Sequence, residues 1–107
     1  MGFAWFSLLL AGLFEIGWPI GLKLAQTPGR LILGVSLAVF CMAASGLFLY
    51  LAQRTIPMGT AYAVWTGIGA AGAFAVGILA YGDATSLPRL AGVGLIVAGV
   101  ATLKLAS

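Results

Sequence analysis

Three short polar breaks, at Lys23–Arg30, Gln53–Pro57 and Tyr81–Arg89, divide this chain into four apolar stretches. The stretches run over roughly 3–22, 31–52, 58–80 and 88–106, each close to the ~20 residues that carry a helix across ~30 Å of hydrocarbon. Charged residues make up 7% of the chain and hydrophobic ones 63%. Mean hydropathy is +1.17. Soluble domains carry about 25% charged residues. The fold class that follows is an all-α membrane protein, a single domain over 1–107 with four transmembrane helices.

Four spans use almost the whole length, which excludes several functions. No soluble domain remains to hold a nucleotide or nucleic acid, so the net charge of +3 is not a nucleic-acid footprint, and the expected surroundings are the lipid bilayer. The first stretch is too long and uninterrupted for a signal peptide. Cys41 is the single cysteine and lies inside the second stretch, where it reads as a small buried apolar residue. There is no His, no CxxC and no acidic cluster, so neither a metal site nor a Ser–His or Cys–His catalytic pair is expected. The chain reads as neither an enzyme nor a cofactor binder.

The breaks read as membrane turns. Pro28 and Gly29 punctuate the first, Pro57 begins the third helix, and Asp83, Thr85 and Ser86 offer caps ahead of Pro88. Connections this short predict antiparallel neighbours in an up-down-up-down bundle with both termini on one side. Lys23, Arg30 and Arg89 then share a face with Asp83, while Arg54, Lys104 and the amino terminus share the other. Orientation follows a clear Lys/Arg excess on one side, and three against two plus a terminal amine is none. Insertion both ways up and a single weakly biased orientation are both open at this level.

Glu15 is the anomaly within the spans. It is the only charged residue between Phe3 and Leu22, and Asp83, the other acid, lies in a break. A carboxylate at bilayer depth costs at least ~2.5–3.5 kcal/mol, and such groups face a protein interior or an ion or substrate pathway. Residues three and four apart share a helix face. Ala11 and Gly12 therefore precede Glu15 by one turn, and Trp18 and Pro19 follow it. Gly12 beside the acid leaves room for a ligand or a second acid. Trp18 brings an indole donor and a face for a planar cation. Pro19 lacks an N–H, so the Glu15 carbonyl loses its helical partner.

The third stretch adds Tyr62, Trp65 and Gly69 at spacings of three and four, and the second adds Ser45 near its middle. One acid, aromatic rings and a hydroxyl at similar depth make a coherent cation pocket of Gly12, Glu15, Trp18, Ser45, Tyr62 and Trp65. Trp5, Tyr50 and Tyr81, near helix ends, read instead as interfacial anchors. Glycines at 67, 69 and 72 offer either a point of bending or a close-packing surface, and the residues leave both open. Gly92 and Gly99, seven apart on the fourth helix, form a small-residue stripe suited to close helix contact.

The segments AGLFEIGWPIGLK, PMGTAYAVWTGIGA and LAGVGLIVAG resemble those of the small multidrug resistance family, and more closely its guanidinium-exporter branch. The likeness covers essentially the whole chain in length, helix count and spacing. Trp18, three residues after Glu15, is similar to that branch, whereas the polyaromatic-cation exporters carry a small residue there. Pro19 departs from the pattern. The resemblance implies an antiparallel, dual-topology homodimer in the bacterial cytoplasmic membrane. It further implies proton-coupled export of guanidinium-like cations, with Glu15 binding proton or substrate. It places the pocket on Gly12, Trp18, Ser45, Tyr62 and Trp65, the helix-three bend on Gly67 and Gly69, and the dimer contact on Gly92 and Gly99. A broader small multidrug cation exporter, a four-helix ion channel and a subunit active only with a paralogous chain remain as alternatives.

Overall fold

In the computed structural model, residues 2–106 are described, and they form four helices: α1 (Gly2–Ala25), α2 (Leu31–Gln53), α3 (Met58–Tyr81) and α4 (Leu87–Ala106). All four are long and apolar enough to cross a membrane. The first continues past Lys23, where a reading by charge stops it at Leu22. An ammonium on a long aliphatic stem reaches the interface without breaking the helix. Breaking waits for the turn itself, where Gly29 adopts a left-handed φ of 78° and the Arg30 N–H reaches the Thr27 carbonyl at 3.0 Å. Ser86 caps α4, accepting from the Arg89 N–H at 3.4 Å. Asp83 does not take that role. Its N–H turns back to the Gly77 carbonyl at 3.0 Å, ending α3 through Gly82 at φ 66°.

The helices do not close into a compact four-helix bundle. Among the described residues no backbone packing of α4 along α1 or α2 closes the ring, and the Cα extents are 44 × 34 × 17 Å. α1 is the hub, packed along α2 and against α3, while α4 lies on α3. Small residues bring α1 and α2 together near their shared turn. A Cβ at Gly21 would stand 2.6 Å from the Ala38 nitrogen, and one at Gly34 would run into the backbone of Ala25. Farther along, the Phe14 ring stacks on Phe48 at 5.9 Å and meets Phe40 edge-on at 6.1 Å.

The tightest apolar packing gathers Ala4, Trp5 and Leu8 of α1, Ala52 and Ile56 around the second turn, and Ala61 and Val64 of α3. Trp5 is thus a core residue rather than the interfacial anchor its position near a helix end suggests, with 8% of its surface exposed. The Lys104 ammonium lies 4.9 Å from its ring centroid, linking the end of α4 to the start of α1. Tyr50 is exposed, as an anchor would be. α4 has no buried residue among those described.

Candidate cation site

Glu15 sits partly buried where α1 crosses α3. The crossing is close because α3 presents Gly69 there: a Cβ on that residue would stand 2.5 Å from Glu15 Cγ and 3.3 Å from its Cβ. One turn along α3, Gly72 likewise receives Ile16, and Gly67 receives Val100 of α4. These three glycines therefore act as packing surfaces, and α3 remains helical throughout the segment that contains them. The space beside Gly12 is taken as well. A Cβ there would stand 2.6 Å from Ile68 Cγ2, so an α3 side chain fills the room that the sequence suggests for a ligand or a second acid.

A hydrogen-bonded strut joins three helices beside the acid. The Trp65 indole N–H of α3 donates to Ser45 Oγ of α2 at 2.7 Å. The Ser45 hydroxyl, 1% exposed, in turn donates to the Ala11 carbonyl of α1 at 2.8 Å. Its proton is thereby committed one turn before Glu15. Neither Ser45 nor Trp18 donates to the Glu15 carboxylate. Among the described residues Glu15 has neither a hydrogen-bond nor an ion-pair partner. Trp18 and Pro19 are partly buried one turn farther on.

Tyr62 packs its ring against Trp65, with centroids 5.4 Å apart and planes inclined by 52°, and is itself 55% exposed. The structure thus brings Glu15, Ser45, Trp65 and Tyr62 to one region of a single subunit, with the carboxylate left unpaired. Thr66 turns away, its hydroxyl satisfied by the Tyr62 carbonyl of its own helix at 2.8 Å. Gly92 and Gly99 lie elsewhere, on the outer side of α4, and a Cβ on either would meet nothing within 4 Å. Sequence reasoning missed Ile68 and the Ala11 carbonyl. The first is one of many similar apolar residues, and the second is a main-chain atom, so neither carries a signal in residue type.

An unpaired carboxylate within the spans, beside aromatic rings and a fixed hydroxyl, suits a cation or proton better than any apolar cargo. A family model described as Small Multidrug Resistance protein matches residues 3–96. A Yersinia pestis protein named Guanidinium exporter is 48% identical over 104 residues, covering 97% of this chain and 99% of its own length. Proteins of that name from Citrobacter freundii and Salmonella typhimurium strain LT2 are 49% and 46% identical, covering 97% of this chain and 98% of their own lengths. With the match spanning nearly all four helices, the chain belongs to the small multidrug resistance family.

Proposed function

We propose that this chain exports guanidinium and small substituted guanidinium cations in exchange for protons, by alternating access across a bacterial cytoplasmic membrane. The observation that carries the reading is the unpaired Glu15 carboxylate within the spans, beside the strut from Trp65 through Ser45 to Ala11. The name Guanidinium exporter on relatives about half identical supports the choice of cargo. Guanidinium is planar and presents its donors in a fork that a carboxylate accepts two at a time. Trp18 and Trp65 offer flat faces on which such an ion stacks. A proton on Glu15 removes the charge that holds the ion, so the two occupants exclude each other and lower pH weakens guanidinium binding.

The working unit in this reading is an antiparallel homodimer of dual topology. The near balance of Lys and Arg between the two faces supports it, as does an α4 that buries none of its described residues and leaves Gly92 and Gly99 uncovered. Two copies of Glu15 would then share one site. Gly67 and Gly69 would let α3 shift between its packing partners as the site changes sides. The test is purified protein in liposomes with an imposed guanidinium gradient. Proton movement opposite to guanidinium is expected, and Glu15→Gln should abolish both binding and coupled flux. Robust guanidinium-driven proton flux by Glu15→Gln would sink the reading, and rapid flux without protons would make the protein a channel.

A further inference from the structure

A second place on the chain is built for positive charge. α1 and α3 run parallel, so both of their C-terminal ends lie at one membrane face. Between them opens a cavity of about 150 Å³, lined by Pro19, Ile20, Lys23, Gly77, Tyr81 and Asp83 among others. A water needs only ~10–15 Å³ of such space, so the cavity has room for a small ion with water around it. The carbonyl end of each helix carries about half a negative charge. Asp83 adds a whole one. Its carboxylate folds back over Gly77, where Oδ2 lies in the space that a Cβ would need. That placement depends on the left-handed turn at Gly82, which returns the Asp83 N–H to the Gly77 carbonyl.

One cation is already present. The Lys23 ammonium lies 5.8 Å from the Tyr81 ring centroid, within cation–π reach. Among the described residues Lys23 and Asp83 form no ion pair, so the carboxylate is not neutralised by its neighbour. An anion entering here would meet a carboxylate and two helix C-termini. A cation is attracted by all three and opposed by Lys23 and by the Arg89 guanidinium, which donates to the Ala84 carbonyl beside Asp83 at 3.0 Å. The cavity also shares a helix stripe with Glu15, because Pro19 and Lys23 follow it by four and eight residues, or about 6 and 12 Å along the axis.

We propose that this cavity is an outer cation site that holds a guanidinium-like ion at the membrane face before it reaches Glu15. Asp83 supplies the carboxylate and Tyr81 the stacking face, and Lys23 is a tethered competitor that leaves the ring when the ion arrives. The role of the site in transit rests on Glu15 being the central acceptor. The test is a titration of the full-length, ¹⁵N-labelled protein in lipid nanodiscs with guanidinium chloride. The amides of Gly77, Gly82 and Asp83 report the outer site, and the Trp65 indole reports the central one. In Glu15→Gln the Trp65 response should vanish while the outer amides still shift. In that background Asp83→Asn should weaken the outer midpoint about two- to fivefold, the range of an exposed ion pair, and Lys23→Gln should tighten it by a similar factor. A merely structural role would not move the two variants in opposite directions. Outer amides that stay silent, that respond equally to sodium chloride, or that shift the same way in both variants would overturn the proposal. A wild-type Trp65 indole that ignores guanidinium while Gly82 responds would refute the central site alone and leave the cavity as a cation site.

Discussion

Gly69→Ala adds one methyl group at the point where α3 passes Glu15. The new carbon would stand 2.5 Å from Glu15 Cγ, while carbon atoms prefer about 3.5–4.0 Å, so the overlap is at least about 1 Å. The Glu15 Cβ, at 3.3 Å, is also too close for swinging the outer carboxylate to be enough. Either the side chain turns about its Cα–Cβ bond, which redirects the carboxylate, or the helices part. Overpacking of this kind costs about 1–3 kcal/mol, and the gain in helix propensity from Gly to Ala returns up to about 1 kcal/mol. Stability should therefore fall by about 0–2 kcal/mol. Ligand binding should suffer more, because turning the side chain misaims the two oxygens that must accept the guanidinium fork together. Guanidinium affinity is expected to fall about 10- to 100-fold, or about 1.4–2.8 kcal/mol. Calorimetric titration of guanidinium into the purified variant measures this, with thermal melting as the check on folding. Gly59→Ala, where a Cβ meets nothing within 4 Å, is the matched control and should bind as wild type. Unchanged affinity in a folded Gly69→Ala protein would refute the link between this crossing and the carboxylate's position.

Other substitutions probe the remaining contacts. Ser45→Ala removes both bonds of the strut, and at about 0.6 kcal/mol for an average hydrogen bond within a membrane it should lower stability by about 1 kcal/mol. An unaltered melting temperature in detergent would mean that the Trp65 indole finds another acceptor. Gly34→Ala places a methyl group against the Ala25 backbone, which cannot rotate away, and should cost about 1–3 kcal/mol, more than the same change at Gly59. Trp18→Gly should shift preference from small planar cations towards bulkier aromatic ones, and an unchanged substrate ranking in competition assays would reduce Trp18 to packing. Replacing Gly92 and Gly99 together with Leu should abolish dimers detected by crosslinking, and dimers that persist would place the subunit contact elsewhere.

The four spans were legible because hydrocarbon thickness sets a length and charge sets the breaks, and both are properties of composition over about 20 residues. The meeting of Ser45 and Trp65 at similar depth could also be read, since each lies well inside a span. Contacts that depend on how helices cross could not. Gly12 looks the same whether its gap admits a ligand or Ile68, and the outcome turns on an α1–α3 register that no local pattern encodes. Trp5 misled for a related reason. Position near a helix end favours an anchor, but the turn after α2 folds Ile56 inward beside it and makes that end the core. Asp83 looks like a helix cap because capping is a local signal. Its actual place over Gly77 depends on Gly82 taking a left-handed turn.

The position of α4 bears on how such a protein is made. By the time α3 is complete, α1 already has its partners, and the cluster around Trp5, Leu8 and Val64 can close largely without the last helix. α4 then arrives as a rod held mainly along one side, through Gly67–Val100 packing and the Lys104–Trp5 clasp. The structure thus divides into a three-helix unit that holds most of its own core and a last helix whose remaining surface is left for whatever meets it in the bilayer.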